Sequence, residues 1–143
     1  MNPLATHLTW RTFLYNEVLL PWETATVRIR PGVYSKKAMA DELGLHVVKK
    51  SKLAEMQTVE EEYRSLAGEF LVFYADGKGY EALFKRLRDT VAHAHYAAGR
   101  SGWITMHHQF KGRGETKPTV RLMACMKFTT LKSLVQFINP SHR

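Results

Sequence analysis

Residues 79–98 read GYEALFKRLRDTVAHAHYAA, and this stretch decides which fold the sequence predicts. Apolar side chains recur in it every three or four positions, which is typical of a helix with one buried face. The sequence therefore predicts a long helix that begins near Gly79 and ends before Gly99, because glycine commonly follows a last helical turn. The apolar positions are Tyr80, Leu83, Phe84, Leu87, Val91 and either Ala94 or His95.

A second long helix is predicted directly upstream, between Leu53 and Phe73. Apolar residues recur there at the same spacing, while acidic residues and Arg64 fill the opposite face. The helix ends near Asp76, and a loop of a few residues leads to Gly79. Two long helices joined by so short a loop should pack antiparallel. The apolar positions are Leu53, Met56, Val59, Tyr63, Leu66, Phe70 and Phe73.

Downstream of these helices the apolar period changes from helical spacing to alternation. Residues 103–110 alternate, residues 111–114 are typical of a turn, and residues 119–128 are rich in strand-forming and apolar side chains. This pattern predicts a β-hairpin with a long, basic tip. A short C-terminal helix follows, with Thr129 or Thr130 suited to cap its first turn.

The N-terminal third is less clearly patterned. Residues 4–20 suit a helix, residues 22–34 are ambiguous, and a short helix from Ser35 to Leu43 ends at Gly44. The basic residues 49–52 indicate a loop or the start of a helix. The predicted fold class is therefore mainly α: a helical bundle with two long antiparallel helices, a late β-hairpin and a short C-terminal helix.

Length, charge and cysteine content limit the possible classes of protein. A chain of 143 residues is most simply one domain, residues 1–143. Its formal net charge of +8 favours an anionic partner, with nucleic acid as the leading candidate. The single cysteine, Cys125, excludes an intrachain disulfide and a multi-cysteine zinc site. No apolar run approaches a membrane span and no secretory signal is evident, so we expect a cytoplasmic protein without membrane contact.

The predicted helix 79–98 contains the residues with the clearest chemical potential. Asp89 and His93 are four positions apart, so a helix places them on one face. The Asp89 carboxylate would accept a hydrogen bond from one imidazole nitrogen and leave the other free for proton transfer. Arg88 lies beside Asp89, and its guanidinium matches the geometry of a phosphate group. Together these three residues would be sufficient for metal-independent attack on a phosphodiester.

The segment Leu87–His93 resembles the signature of HEPN domains (higher eukaryotes and prokaryotes nucleotide-binding). That signature has the form Arg-[polar]-x3-His after an apolar residue, which Arg88, Asp89 and His93 match. The predicted order of elements is similar to that of a subset of small bacterial and plasmid HEPN proteins. The resemblance covers about residues 50–140.

The resemblance implies both an activity and an assembly. Active HEPN proteins are metal-independent endoribonucleases, some of them toxins or defence proteins, and they are usually homodimers with a composite site at the interface. By resemblance, Arg88 would contact the scissile phosphate, His93 would be the general acid or base, and Asp89 would orient them. The same resemblance implies an antitoxin protein as a further partner.

Three more basic residues are candidates for substrate binding. His95 stands where a subset of HEPN toxins carries tyrosine, and it is a candidate to join the site. Lys111 and Arg113 lie at the predicted hairpin tip, where they either bind a phosphate backbone or form a solvated loop.

The remaining histidines bear on metal binding. His107 and His108 are consecutive on a predicted strand, so they point to opposite faces and are poor metal ligands. We therefore predict no metal and no cofactor.

Three functional hypotheses follow from the sequence. The first is a dimeric HEPN ribonuclease, and the retention of both Arg88 and His93 favours it. The second is a non-catalytic HEPN-like module that holds RNA, a nucleotide or a partner protein. The third is an unrelated basic helical protein that binds DNA. Residues 35–50 weakly resemble a helix-turn-helix, the motif that such a protein would use.

Overall fold

A computed structural model describes residues 3–19, 41–63, 68–75 and 82–138 of the chain. At its centre lies a five-stranded mixed sheet. The strands are β1 (His46–Lys50), β2 (Phe70–Tyr74), β3 (Tyr96–Ala98), β4 (Trp103–Phe110) and β5 (Thr119–Lys127). Their order in the sheet is β1-β2-β5-β4-β3, with β1 and β2 parallel and the other neighbours antiparallel.

Helices precede, connect and follow the strands. They are α1 (Pro3–Leu14), α2 (Val59–Tyr63), α3 (Ala82–Ala92) and α4 (Phe128–Ile138). A π-helical turn, Tyr15–Leu19, extends α1, and a 3-10 helix, Leu53–Thr58, leads into α2. None of the helices in the described ranges is long and apolar enough to cross a membrane.

The main core lies between one face of the sheet and helices α1, α3 and α4. Leu83, Phe84 and Leu87 of α3 are fully buried against the strands in this layer. Trp10 of α1 stacks on Phe128 of α4 with ring centroids 4.5 Å apart. Each large apolar side chain buried in this way contributes about 1.5–3 kcal/mol, so this layer supplies most of the stabilisation of the fold.

A smaller apolar cluster lies on the other face of the sheet. It consists of Met56 and Val59, which precede or begin α2, together with Val72 of β2 and Val120 of β5. The residues on either side of Val72, Leu71 and Phe73, face the main core, because successive residues of a strand point to opposite faces. The sheet is therefore partly covered on both faces.

The predicted mainly α fold is wrong, because the long helix 53–73 does not exist. The chain there forms the short elements Leu53–Thr58 and α2, and then strand β2. Residues 70–73 are all buried, since β2 is a central strand covered on both faces. A strand of this kind is a continuous apolar run rather than an alternating one, and such a run also matches helical spacing. Sheet and helices therefore replace the predicted bundle.

The helix predicted over residues 79–98 also ends early, at Ala92. The His95 amide donates to the Thr90 carbonyl at 2.9 Å, and the Ala94 amide donates to the Val91 carbonyl at 3.0 Å. These two bonds and the positive φ of Ala94 (+55°) form a Schellman motif, which terminates a helix. The chain then enters β3, which pairs with β4.

The remaining predictions for residues 4–79 are confirmed, corrected, or lie in part outside the described residues. α1 confirms the N-terminal helix, and Gly44 with φ +67° follows helical residues 41–43, as predicted. Lys49 and Lys50 belong to β1 rather than to a loop or helix start. The ambiguous segment 22–34 and the loop 76–79 lie outside the described residues.

The hairpin and the C-terminal helix follow their predictions closely, whereas the short strand β3 was not predicted. The hairpin is confirmed as β4 and β5, with residues 111–118 as its tip. The C-terminal helix is confirmed as α4, although it begins at Phe128, so Thr129 lies inside the first turn rather than capping it. One irregularity was not predicted: the register shifts between His108 and Gln109, where a β-bulge interrupts the pairing of β4 with β5.

Candidate functional site

The end of α3 and the middle of β4 bring together three imidazole rings, those of His93, His95 and His108. We call these residues the histidine cluster. The ring centroids are 5.7 Å apart for His93 and His95, 5.5 Å for His93 and His108, and 5.1 Å for His95 and His108. His93 is exposed, His95 is half-buried and His108 is buried, so the cluster runs from solvent into the core.

The Schellman turn is the local feature that assembles this cluster. It ends α3 directly before His93, and the left-handed conformation of Ala94 turns the chain back towards the sheet. The His95 carbonyl then accepts a hydrogen bond from the His107 amide at 3.0 Å, which fixes the turn against β4. Continued as a helix, as the sequence predicted, the chain would not have presented His95 to the sheet.

A direct contact between ring nitrogens joins two members of the cluster. Nδ1 of His95 lies 2.9 Å from Nδ1 of His108. Only one of the two nitrogens can carry the proton in such a contact, so one ring donates and the other accepts. The Nε2 atoms of both rings remain outside this hydrogen bond.

Burial keeps His108 uncharged. Its side chain is only 1% exposed. Burial and, to a smaller extent, the neighbouring His95 lower the pKa of His108 to about 4, and the nearby Asp89 carboxylate opposes this shift. His108 is therefore neutral at physiological pH and serves His95 as an uncharged hydrogen-bonding partner.

The predicted catalytic residues Arg88 and Asp89 form an ion pair on α3. Nη1 of Arg88 donates to Oδ1 of Asp89 at 2.8 Å, and Lys85 adds a second cation 3.7 Å from Oδ2. The carboxylate therefore has two cationic partners, and the predicted hydrogen bond between Asp89 and His93 is not formed. Nε of Arg88 is buried without a hydrogen-bond partner.

The structure brings the predicted site residues together only in part. Arg88 and Asp89 lie on the last turns of α3, His93 follows the end of that helix, and His95 joins His93 through the cluster. Lys111 and Arg113 lie on the exposed hairpin tip, apart from the ring contacts of the cluster.

A buried arginine anchors the base of the hairpin tip. Arg121 donates to the Glu115 carboxylate at 2.6 Å and to the Thr119 carbonyl at 3.0 Å. Its guanidinium also lies 4.1 Å from the centroid of the Phe110 ring. The hydrogen bond from Arg121 lowers the pKa of Glu115. These contacts hold the tip that carries Lys111 and Arg113.

His107 confirms that the two consecutive histidines face opposite sides of the sheet. Its Nε2 pairs with the Glu60 carboxylate of α2, whereas His108 belongs to the histidine cluster on the other face. In the described part of the chain, no group of three or more His, Cys, Asp or Glu side chains is arranged to hold a metal ion.

Sequence reasoning missed His108 as a member of the site. Strand alternation did show that one of His107 and His108 had to face the core. A buried histidine needs a hydrogen-bond partner, so a second polar group facing it was to be expected. The partner could not be identified because His95 was assigned to a helix.

Comparison with known proteins adds no assignment. The HEPN resemblance stays a prediction, while the helical-bundle fold that it implied is wrong. No protein-family model matches this chain, and neither a curated protein nor a solved structure is significantly similar to it.

Proposed function

We propose that the protein is an endoribonuclease that cleaves RNA without a metal ion, using the histidine cluster. The observation that supports this proposal is the contact between His95 and His108 beside the exposed ring of His93. The histidine cluster contains two imidazoles, those of His93 and His95, that can exchange protons with a substrate. Its third imidazole, that of His108, is neutral and holds His95 in place.

The proposed reaction is transesterification at a phosphodiester. One imidazole removes the proton of the ribose 2′-hydroxyl as the 2′-oxygen attacks phosphorus. The other donates a proton to the departing 5′-oxygen as the bond from phosphorus to that oxygen breaks. The products are a 2′,3′-cyclic phosphate and a 5′-hydroxyl, and the proton removed equals the proton delivered. The reaction requires the 2′-hydroxyl, so RNA and not DNA is the substrate class.

In this proposal His108 is a positioning residue. Because it is neutral, its Nδ1 can accept the Nδ1 proton of His95. His95 then keeps that proton throughout the reaction, and its Nε2 is the atom that takes up or releases one. Nε2 therefore has a fixed role without any rotation of the ring.

Arg88 would stabilise the negative charge that develops on the phosphate. Its side chain is one-third exposed, and its Nη1 is already fixed by Asp89. A guanidinium held in this way loses little side-chain entropy when it binds a phosphate oxygen. In this proposal Asp89 therefore orients Arg88 alone, whereas the sequence suggested that it orients both Arg88 and His93.

A homodimer is no longer required by the chemistry. The resemblance implied a homodimer with a composite site, whereas in this proposal His93 and His95 of one chain perform both proton transfers. The homodimer, the antitoxin partner and the cytoplasmic location stay predictions.

The test uses purified protein and a defined single-stranded RNA in buffer with EDTA. We expect wild-type protein to cleave, His95→Ala and Arg88→Ala to lose at least about 100-fold in rate, and His108→Ala to lose less. His46→Ala and Arg11→Ala are matched controls, since both residues are exposed and lie in β1 and α1. Their rates should equal that of the wild type.

Two outcomes would contradict the catalytic proposal. One is intact RNA after long incubation with wild-type protein. The other is cleavage that the His95→Ala and Arg88→Ala variants retain, since that indicates a contaminating nuclease. If RNA is bound but not cleaved, the non-catalytic binding module becomes the better hypothesis.

A further inference from the structure

A groove runs along the face of the sheet opposite the histidine cluster. Its first part is a cavity of about 480 Å³ over β2, β4 and β5. Its second part is a cavity of about 410 Å³ beside the base of the hairpin tip. Glu60 lines both cavities, so they adjoin at this residue. We call the two parts the apolar cavity and the polar cavity.

The apolar cavity has the lining of a site for a flat aromatic ring. Tyr63 and Phe70 are stacked with centroids 5.2 Å apart and ring planes 26° from parallel. Met123 and Cys125 of β5 complete its apolar wall. Aromatic side chains stack on the face of a base, and sulfur-containing side chains also make favourable contacts with aromatic rings.

Two polar groups lie where the cavities meet. The Glu60 carboxylate pairs with Nε2 of His107, which fixes one carboxylate oxygen. A carboxylate accepts hydrogen bonds and donates none, so it selects a ring with N–H groups on its edge. Guanine carries two neighbouring donors of this kind, whereas adenine has an acceptor in one of those positions.

The polar cavity suits a sugar and a phosphate. Gln57 and Gln109 line it with amide groups, and Lys117 adds a cation. The first and last β4 residues of the groove, Thr105 and Gln109, are four positions apart, or about 13 Å along the strand. That span accommodates an extended nucleotide. The formal net charge of +8 also favours a ligand that is an anion, such as a nucleotide phosphate.

We propose that this groove binds a guanine nucleotide, with the base in the apolar cavity and the phosphate at Lys117. The site is separate from the histidine cluster, and the proposal does not depend on RNA cleavage. The same chemistry is presented by a free nucleotide and by one guanosine residue of a single-stranded RNA.

Binding of guanosine monophosphate, measured by isothermal titration calorimetry, tests the proposal. We expect adenosine monophosphate and guanosine without phosphate to bind about tenfold more weakly, since each lacks one of the predicted contacts. Glu60→Gln and Lys117→Ala should each lower the affinity for guanosine monophosphate by about tenfold. Glu61→Gln and Lys127→Ala carry the same changes in charge outside the groove and should leave the affinity unchanged.

Alkylation of Cys125 provides a second readout of nucleotide binding, independent of calorimetry. Cys125 is the only cysteine of the chain and its side chain lines the apolar cavity. Burial raises the pKa of its thiol, so alkylation by iodoacetamide should be slow. A bound base covers the thiol, so guanosine monophosphate should slow alkylation several-fold further in the wild type. The same slowing is expected in His95→Ala, and no slowing is expected in Lys117→Ala at the same nucleotide concentration.

The source of the nucleotide is resolved by competition. In His95→Ala, which should leave RNA intact, an RNA oligonucleotide with one guanosine that displaces guanosine monophosphate identifies RNA as the ligand, and one that fails to displace it identifies the free nucleotide. Absence of guanosine monophosphate binding overturns the proposal, as does equal affinity in Glu60→Gln, Lys117→Ala and their controls. Loss of cleavage in His95→Ala with nucleotide binding intact separates this site from the catalytic proposal.

Discussion

The buried, uncharged imidazole of His108 should make the stability of the fold depend on pH. The charged and titratable groups near it are Asp89, His93, His95 and Arg86, and their net effect with burial is to lower the pKa of His108 from 6.5 to about 4. Between these values the unfolded chain binds a proton on this residue and the folded chain does not. The free energy of unfolding therefore rises with pH through this window and falls as the solution is acidified.

The magnitude follows from the size of the shift. One pKa unit corresponds to about 1.4 kcal/mol. The folded protein should therefore lose about 2 kcal/mol on acidification from neutral pH to about pH 5, and about 3 kcal/mol by about pH 4. The His108→Gln variant lacks this titration but keeps a neutral side chain that can hydrogen-bond to His95.

Urea unfolding at several pH values between about 4 and 7.5, followed by circular dichroism, measures this effect. The wild-type free energy of unfolding should fall with acidification by about 3 kcal/mol more than that of His108→Gln. His46→Gln replaces an exposed histidine on β1, and its free energy of unfolding should depend on pH as that of the wild type does. Parallel curves for wild type and His108→Gln would refute the reasoning, because they would mean that His108 titrates equally in the folded and unfolded chain.

Three further predictions concern the fold itself, each measured as a free energy of unfolding. Ala94→Gly should stabilise the protein by up to about 1 kcal/mol, because glycine adopts the left-handed conformation of this position without strain; a clear loss would contradict the Schellman assignment. Gly112→Ala should cost about 1–3 kcal/mol, because the added Cβ would overlap the Glu115 carboxylate and disturb its bond to Arg121; an unchanged stability would show that the tip is not held this way. Leu71→Ala should cost about 2–5 kcal/mol, because this residue is fully buried in β2, whereas a small effect would favour the helix that the sequence predicted.

Strand β4 and the C-terminal helix could be predicted because each has one buried and one more exposed side. Strand β5 is buried over most of its length, and it was predicted from its strand-forming and apolar residues after a turn-like segment. In β4, buried Ile104, Met106 and His108 alternate with more exposed neighbours, which is the pattern that defines a half-buried strand. Local sequence is sufficient for elements of this kind because a single period accounts for their buried positions.

β2 could not be predicted for the opposite reason. Leu71 and Phe73 face the main core while Val72 faces the second cluster, so no polar position marks a solvent-facing side. The acidic residues of α2, directly upstream, then supplied an apparent polar face for a helix that does not form. Only the positions of β1 and β5 on either side determine that this run is a central strand.

The arrangement of the candidate site could not be predicted from the sequence. Arg88, Asp89 and His93 lie near one another as the spacing indicated, yet the Asp89 carboxylate pairs with arginine rather than with histidine. The contact between His95 and His108 joins residues 13 positions apart. This contact depends on the end of α3 at Ala92, and no proline or glycine at that point of the sequence indicates that a helix ends there.

The nature of the RNA product tests the central claim most directly. A single-stranded RNA is incubated with the protein in EDTA, beside the same sequence made with 2′-deoxyribose, and the ends of any fragments are identified by mass spectrometry. The proposed mechanism predicts fragments that end in 2′,3′-cyclic phosphate and begin with 5′-hydroxyl, an intact deoxyribose strand, and cleavage by His95→Ala that is at least about 100-fold slower. Fragments with 5′-phosphate ends, cleavage of the deoxyribose strand, or no cleavage of either strand would contradict it.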